Sequence, residues 1–124
     1  MSGFAPIRAL AFLSAAIAFA APAHAASFDC ARARAADEVT VCRTPSLSAL
    51  DSEMGGLWYA YSRVPMYMGG TGARRDAAQA FLVRRRACGR NTACLTGAYR
   101  ARIAELHRGL DEAMRIFFRL QNGN

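Results

Sequence analysis

Residues 88–120 read CGRNTACLTGAYRARIAELHRGLDEAMRIFFRL, and this stretch decides the fold class. Leu95, Tyr99, Ile103, Leu106, Leu110, Met114, Phe117 and Phe118 recur at steps of 4, 4, 3, 4, 4, 3 and 1. Such steps keep side chains on one face of a 3.6-residue helix, whereas a half-buried strand alternates every two. The run predicts one long amphipathic helix from about Ala93 to Arg119, with the last residues fraying. Ahead of it, Cys88-Gly89-Arg90-Asn91-Thr92-Ala93-Cys94 reads as a tight turn. Gly89 suits a left-handed helix end, and Asn91 or Thr92 can cap the helix that follows.

Working towards the N-terminus, Ala73 to Ala87 predicts another helix. Its inner face would use Ala77, Ala78, Phe81, Leu82 and the aliphatic stem of Arg85. Pro65 to Gly72 is expected to be a connector, with an apolar Met66-Tyr67-Met68 and then Gly69-Gly70-Thr71-Gly72. That glycine run follows a helix and lacks the Gly-Lys-Ser/Thr ending of a phosphate-binding loop. Before it, Thr44-Pro45 signals a helix start, since Thr can cap and Pro fits the first helical position. Leu47, Leu50, Met54, Leu57, Trp58, Tyr61 and Val64 then form a second stripe, which Pro65 ends. Gly55-Gly56 weakens the middle of this helix by about 1 kcal/mol per glycine. Ala35 to Cys42 allows two further turns, with Asp37 and Glu38 at the end where negative charge is favoured. No segment shows sustained β alternation. The fold expected is all-α: a small antiparallel helical domain.

Composition agrees with one domain. The chain has 124 residues, 53% of them hydrophobic, too apolar for a disordered polymer and too short for two ordinary domains. Residues 1–25 read as a secretory signal peptide: Arg8 supplies the positive start, 9–21 the apolar stretch, and Ala23-His24-Ala25 the cleavage site. Residues 26–124 would then be a single exported domain, periplasmic or secreted. No later apolar run approaches the ~20 residues of a membrane-spanning helix.

Export changes how the cysteines are read. Cys30, Cys42, Cys88 and Cys94 are an even set in a small exported domain, which suggests two disulfides. Three pairings are possible, and proximity along the chain favours Cys30–Cys42 with Cys88–Cys94. There is no C-x-x-C, and His107 is the only histidine after the cleavage site, so neither a metal nor a cofactor is expected. No catalytic constellation stands out. Asp51 with Glu53 and Asp111 with Glu112 are two and one residues apart, spacings that do not share a helix face. A non-catalytic protein is expected.

Charge is uneven. Residues 26–72 hold four arginines and five acids, whereas 73–124 hold eleven arginines and four acids. Arg84, Arg86 and Arg90 cluster near the Cys88–Cys94 turn, beside Arg85. A cluster of this kind can be a solvated face, or a surface for phospholipid heads, acidic envelope polymers or an acidic protein. Export, not charge, disfavours nucleic acid. Tyr67 in the connector is a candidate exposed apolar anchor for a partner.

Several phrases together resemble a known family. Ser27-Phe28-Asp29-Cys30-Ala31, Cys42 twelve positions after Cys30, and Leu47-x-x-Leu50-Asp51-x-Glu53-Met54 make up the first half. Gln79-Ala80-Phe81-Leu82-x-x-Arg85 before Cys88, then Cys94-Leu95, Ala98-Tyr99 and Arg102-Ile103-x-x-Leu106, make up the second. The chain resembles the lysozyme-inhibitor LprI-like domain over about Ser27 to Leu106. It departs where that family often has Trp in place of Phe81 and an acid in place of Arg86. The resemblance implies an exported envelope protein that binds and inhibits lysozyme. Many lysozymes are basic, so a domain of formal charge +6 would need a local acidic or apolar patch to hold one. Asp37 and Glu38 are the candidates, with Asp51 and Glu53 if exposed. Asp51 and Arg85 both match the family pattern, which implies a structural ion pair between them.

Overall fold

The computed structural model describes residues 26–66 and 69–123. The signal-peptide reading of residues 1–25 and the anchor role of Tyr67 lie outside the described residues. Four helices follow a short 3-10 turn at Cys30–Arg32: α1 (Ala36–Arg43), α2 (Pro45–Ser62), α3 (Gly70–Cys88) and α4 (Thr92–Gln121). Among the described residues there is no strand, and the all-α expectation holds.

The helix boundaries follow local chemistry. Glu38 reaches back to accept hydrogen bonds from the backbone N–H groups of Arg34 and Ala35, closing the start of α1. Pro45 opens α2 at a position where the missing N–H costs nothing. The Thr44 side chain makes no capping bond; its backbone carbonyl accepts from Leu47 and Ser48 instead. Gly89 ends α3 with a positive φ of 55°, and the Asn91 side chain accepts from the Cys94 N–H at 3.0 Å to cap α4. α3 starts earlier than the sequence suggests. Gly69 caps it, and Gly70, Thr71 and Gly72 are helical rather than part of a connector.

Consecutive long helices run antiparallel, so α2 and α4 lie parallel with α3 reversed beside them. Tyr99 of α4 meets Asp51 of α2, and ten residues further along both helices Tyr61 meets Gly109. Phe81 of α3 packs edge-on against Tyr99 with ring centroids 5.3 Å apart. Val41, Leu47, Phe81, Leu95 and Tyr99 form the sealed centre, with Phe28, Leu50 and Met54 around it. Ile103 and Leu106 are buried further along α4. Trp58 and Tyr61 are half-buried rather than central. The disulfides are Cys30–Cys42 and Cys88–Cys94, with Cα atoms 5.7 and 5.5 Å apart. One ties the 3-10 turn to the end of α1; the other closes the α3–α4 turn.

The long stripe of α4 is only partly core. It is buried as far as Leu106, but Met114, Phe117 and Phe118 are exposed. The reason lies in α2, which stops at Ser62 and is turned away by Pro65. Beyond Gly109, among the described residues, no stretch of α2 covers the inner face of α4, and only residues 64–66 lie beside it.

Candidate functional site

The arginine cluster divides by helix geometry. Arg85 faces inward and is buried, while Arg84 and Arg86, its neighbours on either side, point to solvent. Arg90 follows Gly89 in the turn and is also exposed. Among the described residues, Arg84, Arg86 and Arg90 form no ion pair. They surround the C-terminus of α3, where cations are favoured by the helix dipole. Guanidinium groups here can present paired donors to carboxylate or phosphate oxygens.

The expected Asp51–Arg85 pair does not form. Arg85 Nε instead donates to Asp37 Oδ2 at 2.8 Å, and its Nη2 lies 3.7 Å from Glu38 Oε1. The Phe28 ring lies 5.3 Å from the same guanidinium. The cause is packing: α1 lies across α3 and delivers its acidic first turn directly to Arg85. Burial works against the Arg85 charge. The hydrogen bond to the Asp37 carboxylate and its field work for that charge, and the guanidinium pKa lies above its ordinary value.

This pairing also corrects the reading of Asp37 and Glu38 as a patch for a basic partner. Asp37 is 1% exposed and consumed by Arg85. Glu38 is divided between Arg85 and the cap of α1. Asp51 is 0% exposed and is likewise no surface acid; only Glu53 of that pair faces solvent.

Asp51 has other work. It accepts from the Tyr99 hydroxyl at 2.8 Å and from the backbone N–H of Ser27. Burial, and then the adjacent Asp51 carboxylate, push the Tyr99 pKa up, so the phenol stays a neutral donor. Gly55 makes the docking of Ser27 feasible, because a Cβ there would stand 2.7 Å from the Ser27 Cβ. By propensity alone this glycine is only a weak point in α2. Arg102 lies off the apolar stripe of α4 and is nevertheless buried: it pairs with Glu105 at 2.9 Å and lies 5.6 Å from the Trp58 ring. Its i,i+3 spacing from Glu105 is visible in the sequence; its burial is not.

A second surface emerges at the opposite end of the molecule. Met114, Ile116, Phe117, Phe118 and Leu120 are each 40–63% exposed. A groove of about 370 Å³ runs between this part of α4 and Val64-Pro65. Among the described residues no group of three or more His, Cys, Asp or Glu side chains gathers where it could hold a metal ion. No described helix is long and apolar enough to cross a membrane. No family model, curated protein or solved structure matches the chain.

Proposed function

We propose that residues 26–124 are an exported, non-catalytic binding module that engages an anionic partner through Arg84, Arg86 and Arg90. The observation carrying this reading is that these three guanidiniums are exposed and unpaired among the described residues, while Arg85 beside them is neutralised internally. Two arginines and two aspartates are buried, so the formal excess of +6 over residues 26–124 remains at the surface. Export is supported by the leader-like residues 1–25 and by two disulfides that leave no free cysteine. The partner belongs to the class of phosphate- or carboxylate-bearing envelope components.

The test is binding of the oxidised chain, without residues 1–25, to an anionic envelope polymer at low and at physiological ionic strength. Binding should weaken steeply as salt rises. Arg84→Ala, Arg86→Ala and Arg90→Ala combined should abolish it. Binding that ignores both salt and these substitutions would sink the proposal.

A second reading is lysozyme inhibition of the LprI type, supported by the sequence resemblance. Burial of Asp37 and Asp51 leaves little of the acidic alternative, so this reading falls back on an apolar one, the exposed residues of α4, which need no charge complementarity. It is tested by assaying several lysozyme types with the chain in micromolar excess. Undiminished lysis throughout rejects it.

A further inference from the structure

The end of α4 gathers most of the exposed large hydrophobic side chains among the described residues. From Leu110 to Gln121 it extends about 18 Å past the point where Tyr61 of α2 crosses Gly109. Met114, Ile116, Phe117, Phe118 and Leu120 occupy one broad side of this extension. Arg108, Glu112, Arg115 and Arg119 recur at steps of four, three and four along the other. Glu112 pairs with Arg115, and with Arg119 at 3.8 Å, so its charge is already met. Arg63 at the end of α2 and Arg75 in the first turns of α3 are exposed at the same end of the bundle.

We infer that this end of α4 lies in the surface of an anionic lipid bilayer, with Phe117, Phe118 and Leu120 entering the acyl boundary and the surrounding arginines meeting the headgroups. An apolar helix side, a basic polar side and bulky aromatics are the features of a helix that lies in a membrane interface without spanning it. Arginine stems can follow the surface while their heads stay with phosphate. The groove beside Val64-Pro65 continues the apolar surface away from the helix.

Charge argues against a second copy as the occupant. The five side chains leave on the order of 500 Å² of apolar surface in solvent, towards the upper end of the largest patch on a monomer. A copy would bring a second excess of arginines against the first, whereas an anionic surface meets them. The inference goes beyond the proposed arginine site, which lies at the other end of the bundle, and the two can fail separately.

The test uses the oxidised chain without residues 1–25. One set of vesicles is phosphatidylcholine mixed with phosphatidylglycerol, and the other is phosphatidylcholine alone. Sedimentation with the mixed vesicles is expected, and Phe117→Ser with Phe118→Ser should weaken it about tenfold or more. These side chains are outside the core, so circular dichroism of the double variant should match the parent. Phe117→Trp in a Trp58→Phe background adds a readout independent of that variant: its fluorescence should shift to the blue and be quenched by brominated acyl chains in mixed vesicles. Loss through the Arg84, Arg86 and Arg90 substitutions, with the phenylalanine variant unaffected, overturns the inference and leaves the arginine reading standing. Fluorescence of the Phe117→Trp variant that stays unquenched overturns it too. So does a dimer in sedimentation velocity that Phe117→Ser with Phe118→Ser dissociates.

Discussion

Arg85 and Asp37 carry opposite charges into the interior, and each is tolerable there only because of the other. Removing one partner of a buried pair strands the remaining charge, a loss of roughly 3–5 kcal/mol. Arg85→Ala and Asp37→Ala should each lower stability to urea by about that much. A double-mutant cycle should give a coupling above about 1 kcal/mol for Arg85 with Asp37, and a much smaller one for Arg85 with Asp51. A large Arg85–Asp51 coupling would contradict the geometry. Which acid meets Arg85 was not legible in the sequence. Asp37 and Asp51 are both buried, and the choice depends on how α1 crosses α3. Tyr99 gives a separate handle through pH. Its pKa is raised in the folded chain, so above about pH 10 the unfolded chain releases a proton that the folded one keeps. Stability contributed by Tyr99 is whole below that pH and falls as pH rises past it. Alkaline urea titrations should show the decline, and Tyr99→Phe should reduce its slope.

Helix starts and stops were legible wherever one residue enforces them: Pro45, Pro65, Gly89 and Asn91 act through backbone geometry or a local hydrogen bond. The start of α3 was not, because the 69–72 run suggests a turn on propensity alone while Gly70 and Gly72 are taken into the helix. The stripe of α4 shows the other limit. Periodicity identifies a face but not how far a neighbouring helix covers it, and the extent of α2 decides that here. The crossing of α2 and α4 is fixed at Gly109, where an added Cβ would stand 2.6 Å from the Tyr61 ring. Arg74 stacks near that ring at 5.4 Å and donates to the carbonyls of Tyr61 and Val64, holding α3 to the end of α2. Gly97 in the same helix has nothing within 4 Å of its would-be Cβ. Gly97→Ala should therefore stabilise by up to about 1 kcal/mol through helix propensity alone. Gly109→Ala adds a clash worth roughly 1–3 kcal/mol and should be the less stable of the two in thermal unfolding. Equal midpoints would mean that Tyr61 moves aside without resistance.

At the scale of the molecule, the two bridges do different jobs although both were legible from chain proximity. Cys88–Cys94 spans a turn that is already closed by backbone bonds from Gly89 to Arg86 and from Asn91 to Cys88. Its shorter loop also restricts the unfolded chain less. Cys30–Cys42 spans twelve residues and anchors a segment with little regular structure of its own. That segment brings Phe28 to the core edge and Ser27 to Asp51, so it seals one end of the buried centre. Chain entropy alone assigns about 3 kcal/mol to the longer loop and somewhat less to the shorter. Release of Phe28 and exposure of the Asp51 carboxylate would add to the first loss and not to the second. Cys30→Ser with Cys42→Ser should therefore destabilise the chain more than Cys88→Ser with Cys94→Ser, by at least about 1 kcal/mol in urea unfolding. It should also open residues 26–34 to limited proteolysis while α3 and α4 stay protected. If the Cys88–Cys94 variant proved the weaker, the α3–α4 turn would be under more tension than its hydrogen bonds imply, and the docked N-terminal segment would not be what holds the core closed.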